Sequence, residues 1–302
     1  MKSPNTQNQS SESRIPTNCP ICHSTNGFSN TQVKIANGKI FTCDVCSGYF
    51  LFPPTHVEYN DSDWTKDHKE NWATKVQEAL TCAPAICKSI EKHLGRPVKS
   101  VLEIGCGTGF MGVGFSSAGC TYTGIDTDKE SIEFAKDKGI DAHCLAAEEI
   151  SQSPEALQKK YDLVLSAHAF EHFDDPFNAF QNLRVVSDGI IVIIVPNPKG
   201  LFQLIRSKRI FQKLGQFVLG NTREIAHSID GYWHNIAYSE RALQYMCNAA
   251  DIKPLEIFLI NQNHPTYGFV QRNESFLYKS ASLLSSSLGM EAEIVLIAKM
   301  NN

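Results

Sequence analysis

The sequence predicts a doubly wound α/β domain on a largely parallel sheet, preceded by a small module stapled by cysteines. Three observations carry this. Between Lys99 and Asn197, short apolar runs without clean alternation take turns with helical patterns, as strands buried on both faces and their crossover helices do. A glycine-rich stretch follows the first of those runs directly. Finally, Asn18 to about Pro54 carries two Cys-x-x-Cys pairs in a turn-rich segment too short to bury a core alone.

Composition sets the outer bounds. A chain of 302 residues, 42% hydrophobic and 20% charged, can hold one large core and a small satellite. Its formal net charge of -4 gives no global attraction to phosphate polymers, so nucleic acid is a poor partner unless a local basic patch exists. Ten cysteines are spread over the chain and four of them form the two pairs, which suits metal binding in a reducing cytoplasm better than a disulfide framework. Met1 to Thr17 is polar and lacks the apolar core of a signal peptide, and no later run is long enough to span a bilayer. The expectation is a cytoplasmic protein with a disordered tail over 1–17, a cysteine module over 18–54, and a main domain over 61–302 with a helical insertion at about 198–238.

Along the chain, apolar residues at helical spacing (Trp72, Val76, Leu80, then Ile86, Ile90, Leu94) predict two helices separated near Pro84. Strands are expected at Ser100–Ile104, Thr121–Ile125, near Ala142–Leu145, at Tyr161–Ala167 and at Gly189–Val195. Helices are expected at Gly109–Ala118, Lys129–Lys138 and Pro176–Val186. Beyond Pro198 a basic and apolar stretch to Leu219 reads as helical, as do Ser239–Ala250 and the serine-rich Ser280–Leu288. Pro254–Ile260 and Glu293–Lys299 supply two late strands.

The turn after the first strand reads Glu103-Ile104-Gly105-Cys106-Gly107-Thr108-Gly109. Without Cβ atoms the backbone turns tightly and lets a ligand approach the N-terminus of the next helix. Asp126 comes about twenty residues later at the end of the next strand, where a carboxylate accepts ribose hydroxyls. The glycines are evenly spaced and preceded by acidic Glu103, unlike the Gly-x-Gly-x-x-Gly of a pyrophosphate site. Acid in that place suits a cationic ligand. The competing reading is a tight turn in another doubly wound fold, with Asp126 as a cap before Lys129. Cys106 reads as a small core residue rather than a nucleophile.

This pattern resembles motif I of the class I S-adenosylmethionine-dependent methyltransferases, over about Lys99 to Asn197 and more loosely to Glu293–Lys299. The resemblance implies a Rossmann-like sheet and S-adenosyl-L-methionine as cofactor. It places the cofactor against Gly105, Cys106, Gly107 and Gly109, with Glu103 orienting the loop, Asp126 and Thr127 at the ribose, and Ser166 at the end of the fourth strand. Many relatives have Asp after the third strand, near the adenine; here Ala146-Ala147 precedes Glu148, so the adenine contact falls to backbone or to Glu148.

Cys19-Pro20-Ile21-Cys22 and Cys43-Asp44-Val45-Cys46 have the spacing by which each pair supplies two thiolates to one tetrahedral ion. A hairpin between them gives a zinc ribbon. Four thiolates close the coordination sphere, so Zn2+ here is structural. His23 could replace a ligand, but Cys22 already completes the set. Similar pairs followed by an aromatic-proline stretch, here Tyr49 to Pro54, occur in methyltransferases that resemble sugar and natural-product modifying enzymes. An rRNA methyltransferase family also carries an N-terminal zinc module.

The fourth strand leads into Ser166-Ala167-His168-Ala169-Phe170-Glu171-His172-Phe173-Asp174-Asp175-Pro176, at the carboxyl end of the sheet where ligands of such folds bind. Methyl transfer is an in-line displacement that needs an aligned acceptor and, for a hydroxyl, a proton acceptor. His168, His172, His227 and His234 are therefore candidates; each could instead shape a loop or, for His234, anchor the helix after Ser239. Lys199, Arg206, Lys208, Arg209 and Lys213 alternate with apolar residues up to Leu219. That helix could cap the pocket, contact a membrane surface peripherally, or simply pack on the sheet.

The resulting expectation is methyl transfer to oxygen or carbon of a small-molecule acceptor such as a sugar, nucleotide-sugar or secondary metabolite. Its rivals are an RNA methyltransferase that uses the ribbon and the basic helix, a non-catalytic cofactor-binding scaffold and, more remotely, a nicotinamide dehydrogenase.

Overall fold

A computed structural model of the protein describes residues 15–35, 38–55, 63–154, 157, 159–201, 229, 234–261, 264–267 and 276–301. The tail expected over 1–17 falls mostly outside these residues; so do the basic helix beyond Leu201 and His227.

The N-terminal segment forms β1 (Phe28–Ile35), β2 (Gly38–Cys43) and β3 (Tyr49–Phe52), an antiparallel meander with one cysteine pair ahead of β1 and the other at the β2–β3 turn. Two helices follow, α1 (Asp63–Glu70) and α2 (Trp72–Leu94). The break expected at Pro84 does not occur, because α2 runs through it. An interior proline costs roughly 3 kcal/mol, and burial of Ala79, Ala83, Ile86 and Ile90 along one face offsets it. α2 crosses α3 (Phe110–Ser117) so closely that a Cβ on Gly114 would lie 2.3 Å from the Ala79 carbonyl oxygen.

The main sheet takes β4 (Ser100–Ile104), β5 (Thr121–Asp126), β6 (Ala142–Cys144), β7 (Tyr161–Ala167) and β8 (Ser187–Pro196), with α4 (Lys129–Asp137) and α5 (Pro176–Val186) as crossovers. After β9 (Ile236–Ala237) and α6 (Glu240–Ala249), it is completed by β10 (Ile252–Ile260) and β11 (Glu293–Met300), which flank α7 (Phe276–Ser287). The spatial order is β10-β11-β8-β7-β4-β5-β6. β11 runs antiparallel to both neighbours, and the pairs from β8 to β6 are parallel. The strand order reverses at β4, which has β5 on one side and β7 on the other, and this opens a crevice beyond their carboxyl ends. Burial follows the sequence: Ile190 to Val195 of β8 and Tyr161 to Leu165 of β7 are enclosed on both faces.

The N-terminal meander gains its fourth strand from far along the chain, since β9 pairs antiparallel with β3 through Tyr49↔Ala237 and Phe50↔Ile236. Its apolar side is continuous with the main domain: Ile21, Phe41 and Phe50 share one buried cluster with Phe170, Tyr238, Leu243 and Met246. Each such Ile or Phe contributes about 1.5–3 kcal/mol on burial, and here that burial requires the larger domain.

Candidate active site

Two loops meet at the reversal of strand order. The turn after β4 is tied to β5, with the Gly105 and Cys106 amides both donating to the Ile125 carbonyl at 2.8 and 3.0 Å. Gly105, Gly107 and Gly109 all take positive φ, at 76°, 51° and 73°, a region that side chains with a Cβ enter at a cost. At Gly105 a Cβ would lie 2.3 Å from that of Ala169 in the loop after β7. Only glycine lets the two loops touch. Cys106 is buried with its sulfur against Gly124, so its side chain packs inside the domain while its backbone forms the turn.

The acidic groups around this turn differ in their roles. Glu103 is buried on β4 and accepts the Tyr122 hydroxyl at 2.5 Å; burial pushes its carboxyl up to about 8 against the help of that hydrogen bond. Asp126 accepts the Gly107 amide on Oδ2 at 2.8 Å and the Asp128 amide on Oδ1 at 2.9 Å, which leaves a lone pair on each oxygen for a ligand. Burial raises its carboxyl above the usual range, opposed by the two amides. The cap of α4 is Asp128, whose side chain accepts the Glu130 amide at 3.0 Å, so Asp126 is not the helix cap. Thr127 is exposed beside it. Ser166 and Thr108 are buried with hydroxyl oxygens that lack a hydrogen-bond partner. Glu148 accepts the Asp175 amide at 3.3 Å, and burial raises its carboxyl.

The loop after β7 turns sharply. His168 has a φ of 54° and lies between two buried carboxylates, with Nε2 3.2 Å from Glu293 Oε1 and Nδ1 3.7 Å from Glu171 Oε1. Burial would lower its pKa, but Glu293 and Glu171 outweigh that and raise it well above the usual value. The side chain keeps 36% exposure, so solvent screens part of the pull. A histidine held protonated in this way is a poor proton acceptor. Glu171 is pushed down to about 2: burial opposes its ionisation, and His168, His172 and His234 more than compensate.

Facing Glu171 is a pair of histidines from distant parts of the chain. The His172 and His234 rings stand edge to face with centroids 4.6 Å apart, and one ligand atom from each lies within 4.8 Å of the others and of a Glu171 oxygen. His234 is carried by the segment that enters β9. Next to it, Leu51 donates its amide to the Asn235 carbonyl at 2.8 Å, and Tyr238 donates its hydroxyl to the Phe170 carbonyl at 2.9 Å. Glu171 and Asn235 were not among the site residues expected from sequence. The carboxylate beside His172 was the available signal for Glu171, whereas nothing local marks Asn235.

The four cysteine thiols converge: Sγ of Cys19 lies 3.8 Å from that of Cys46, and Sγ of Cys22 lies 3.6 Å from that of Cys43, all four within reach of one ion. The Cys46 thiol and burial push Cys19 far up, and burial pushes Cys22 up to about 12. Such thiols ionise together only around a cation, so this donor set fits a metal. His23 is directed elsewhere, with Nε2 2.9 Å from Asp175 Oδ1.

A sheet of this order with an antiparallel seventh strand, a glycine turn after β4 and an acid at the end of β5 defines an S-adenosylmethionine-dependent methyltransferase. The chain belongs to the family described as methyltransferase domain, which matches residues 69–253. Among curated proteins it is 30% identical over 102 residues to the ubiquinone biosynthesis O-methyltransferase of Actinobacillus pleuropneumoniae, covering 31% of this chain and 44% of that protein. It is 33% identical over 93 residues to the protein of the same name from Chromobacterium violaceum, covering 29% and 39%. The chain thus spans about half or less of the length of these two relatives. Among solved structures, the plantazolicin methyltransferase BpumL in complex with SAH superposes with a TM-score of 0.52 at 19% identity, over 81% of this chain and 92% of that one. A SAM-dependent methyltransferase from Archaeoglobus fulgidus gives 0.50 at 17% identity, over 79% and 100%. These similarities agree with the fold. No helix among the described residues is long and apolar enough to cross a membrane.

Proposed function

We propose that the chain methylates a hydroxyl oxygen of a small-molecule acceptor, with a structural zinc ion held by Cys19, Cys22, Cys43 and Cys46. The observation that carries the acceptor reading is the His172–His234 pair, whose rings are 4.6 Å apart in the loop at the carboxyl end of β7. Oxygen is favoured over carbon because the curated relatives bear the name O-methyltransferase. The plantazolicin neighbour supports an acceptor outside nucleic acid, as does the net charge of -4.

S-adenosylmethionine supplies an electrophilic methyl group when bound. The residues of this chain do the rest. Gly105, Gly107 and Gly109 leave room for the cofactor, Asp126 offers its free lone pairs to the ribose hydroxyls, and the Thr108 and Ser166 hydroxyls are available to its polar groups. Glu148 is available at the adenine end. His172 and His234 position the acceptor oxygen in line and promote loss of its proton, and His168 anchors the loop by its charge. Because the chain spans only part of its curated relatives, their acceptors are not carried over.

The test is formation of S-adenosylhomocysteine with a panel of phenolic, catecholic and sugar hydroxyl acceptors, alongside amine and peptide acceptors. A hydroxyl acceptor should turn over, and His172→Ala and His234→Ala should each lower kcat by at least a hundredfold. Turnover of amines or peptides alone would end the hydroxyl reading.

A further inference from the structure

The Glu171 carboxylate poses a physical problem. It is 1% exposed, and neither of its oxygens has a hydrogen-bond partner. A buried carboxylate without hydrogen bonds is costly by several kcal/mol unless positive charge beside it compensates; the imidazoles around Glu171 do so only when protonated, whereas a bound cation does so with them neutral. His168, on the same loop, lies 3.7 Å from Oε1, beyond hydrogen-bond length, and its other nitrogen is engaged by Glu293. Beside it stand two imidazoles, positioned so that one nitrogen of each and one carboxylate oxygen lie within 4.8 Å of one another. Three donors at that separation can reach a common ion at about 2.0–2.2 Å with modest side-chain adjustment.

We propose that Glu171, His172 and His234 form a second metal site, separate from the four-cysteine cluster, that takes a divalent cation and presents it to an acceptor hydroxyl. Two imidazoles and one carboxylate suit Mn2+, Fe2+, Co2+ or Zn2+ better than Ca2+ or Mg2+, and they leave coordination positions open. The site assembles from two parts of the fold. Glu171 and His172 come from the loop after β7, and His234 comes from the segment that the N-terminal meander clamps through β3–β9 pairing and through Asn235.

That the cation binds is independent of the acceptor; what it does there rests on the hydroxyl reading. It would draw electron density from an acceptor oxygen so that the O–H proton passes to water near neutral pH. The oxygen lone pair then forms the new C–O bond while the sulfonium C–S bond breaks. Both electrons of the broken bond stay on sulfur, and S-adenosylhomocysteine leaves.

The full chain, its cysteine site filled with zinc, is titrated with Mn2+ alone, and the free-ion electron paramagnetic resonance signal is followed; Co2+ absorption serves as the second probe. One further ion per chain is expected. His234→Ala, His172→Ala and Glu171→Gln should each weaken it at least tenfold, and Asn235→Ala several-fold although it removes no ligand. S-adenosylhomocysteine affinity within about twofold of wild type shows that each variant is folded; if Glu171→Gln is not, the two histidine variants carry the test. Failure to bind either Mn2+ or Co2+ beyond the zinc, or equal binding by both histidine variants, overturns the site. Cation binding with no hydroxyl acceptor turned over leaves the site intact and removes the acceptor reading. Undiminished hydroxyl methylation after the added cations are stripped, together with inactive histidine variants, removes the site's role and keeps the acceptor reading.

Discussion

Asn235 and Thr55 are separated by 180 residues and hold each other at three points. The Thr55 amide and hydroxyl both donate to Asn235 Oδ1, at 3.0 and 2.9 Å, and Asn235 Nδ2 donates to the Thr55 carbonyl at 2.6 Å. This clasp fixes the residue next to His234 against the end of the N-terminal meander. Asn235→Ala strands the Thr55 groups at a cost of about 2 kcal/mol, or roughly 4–8 °C in Tm for a domain of this size. Calorimetry should show that loss while S-adenosylhomocysteine affinity stays within about twofold. An unchanged Tm would mean that the clasp contributes nothing.

Asp126 holds the Gly107 amide and, in the proposed function, offers its remaining lone pairs to a ribose. Asp126→Ala removes both, and cofactor affinity should fall by about 10- to 100-fold, some 1.4–2.8 kcal/mol. Asp126→Asn, which keeps one acceptor oxygen, should fall between. Isothermal titration with S-adenosylhomocysteine decides it, and unaltered affinity in the alanine variant would remove the ribose role.

Gly105 carries two separable constraints, a φ of 76° and the contact with Ala169. Gly105→Ala should destabilise the protein and abolish cofactor binding. Adding Ala169→Gly relieves the collision and leaves the backbone strain of about 1–2 kcal/mol. Partial recovery of Tm in the double variant is expected, and no recovery would show that the two loops do not touch as described.

The buried Glu103 makes stability depend on pH in a defined direction. In the folded chain its carboxyl titrates at about 8, against an ordinary 4.5. Between those values the native state keeps a proton that the unfolded chain has released, so stability declines as pH rises through the window and levels off above it. Glu103→Gln keeps an acceptor for Tyr122 and removes the titration. In the absence of cofactor the variant should gain Tm relative to wild type from pH 5 to pH 9. A constant difference would mean that Glu103 is ionised throughout.

Cys43→Ser removes one thiolate from the four-cysteine cluster. Zinc content should drop from one ion per chain toward zero, and the shared cluster of Ile21, Phe50 and Phe170 should loosen. Elemental analysis with circular dichroism checks this, and full zinc retention would exclude Cys43 as a ligand.

The sheet was legible because strands buried on both faces are written as apolar runs. The glycine turn was legible because positive φ and close approach leave few alternatives to glycine. Pro84 misled because local propensity ignores the packing of α2 on α3 at Gly114. Asp126 and Asp128 could not be separated as cap and ligand from spacing alone, since both stand just ahead of Lys129. The pairing of His172 with His234 depends on β9, a two-residue strand whose partner β3 is encoded almost two hundred residues earlier. No periodicity extends over two residues, so that contact is invisible until the chain is folded. The three histidines were visible as candidates, and Glu171 was visible as the acid beside His172; its burial among them was not.

The late arrival of β9 sets a timetable for biosynthesis. β1 to β3 leave the ribosome first, yet the strand that completes their sheet is translated about 180 residues later, roughly 10–40 s at ordinary elongation rates. During that interval the nascent cysteine hairpin presents an open edge at β3 and an uncovered Phe50. The cysteine-rich meander is thus made well before the strand that closes it, and that closure brings His234 to His172.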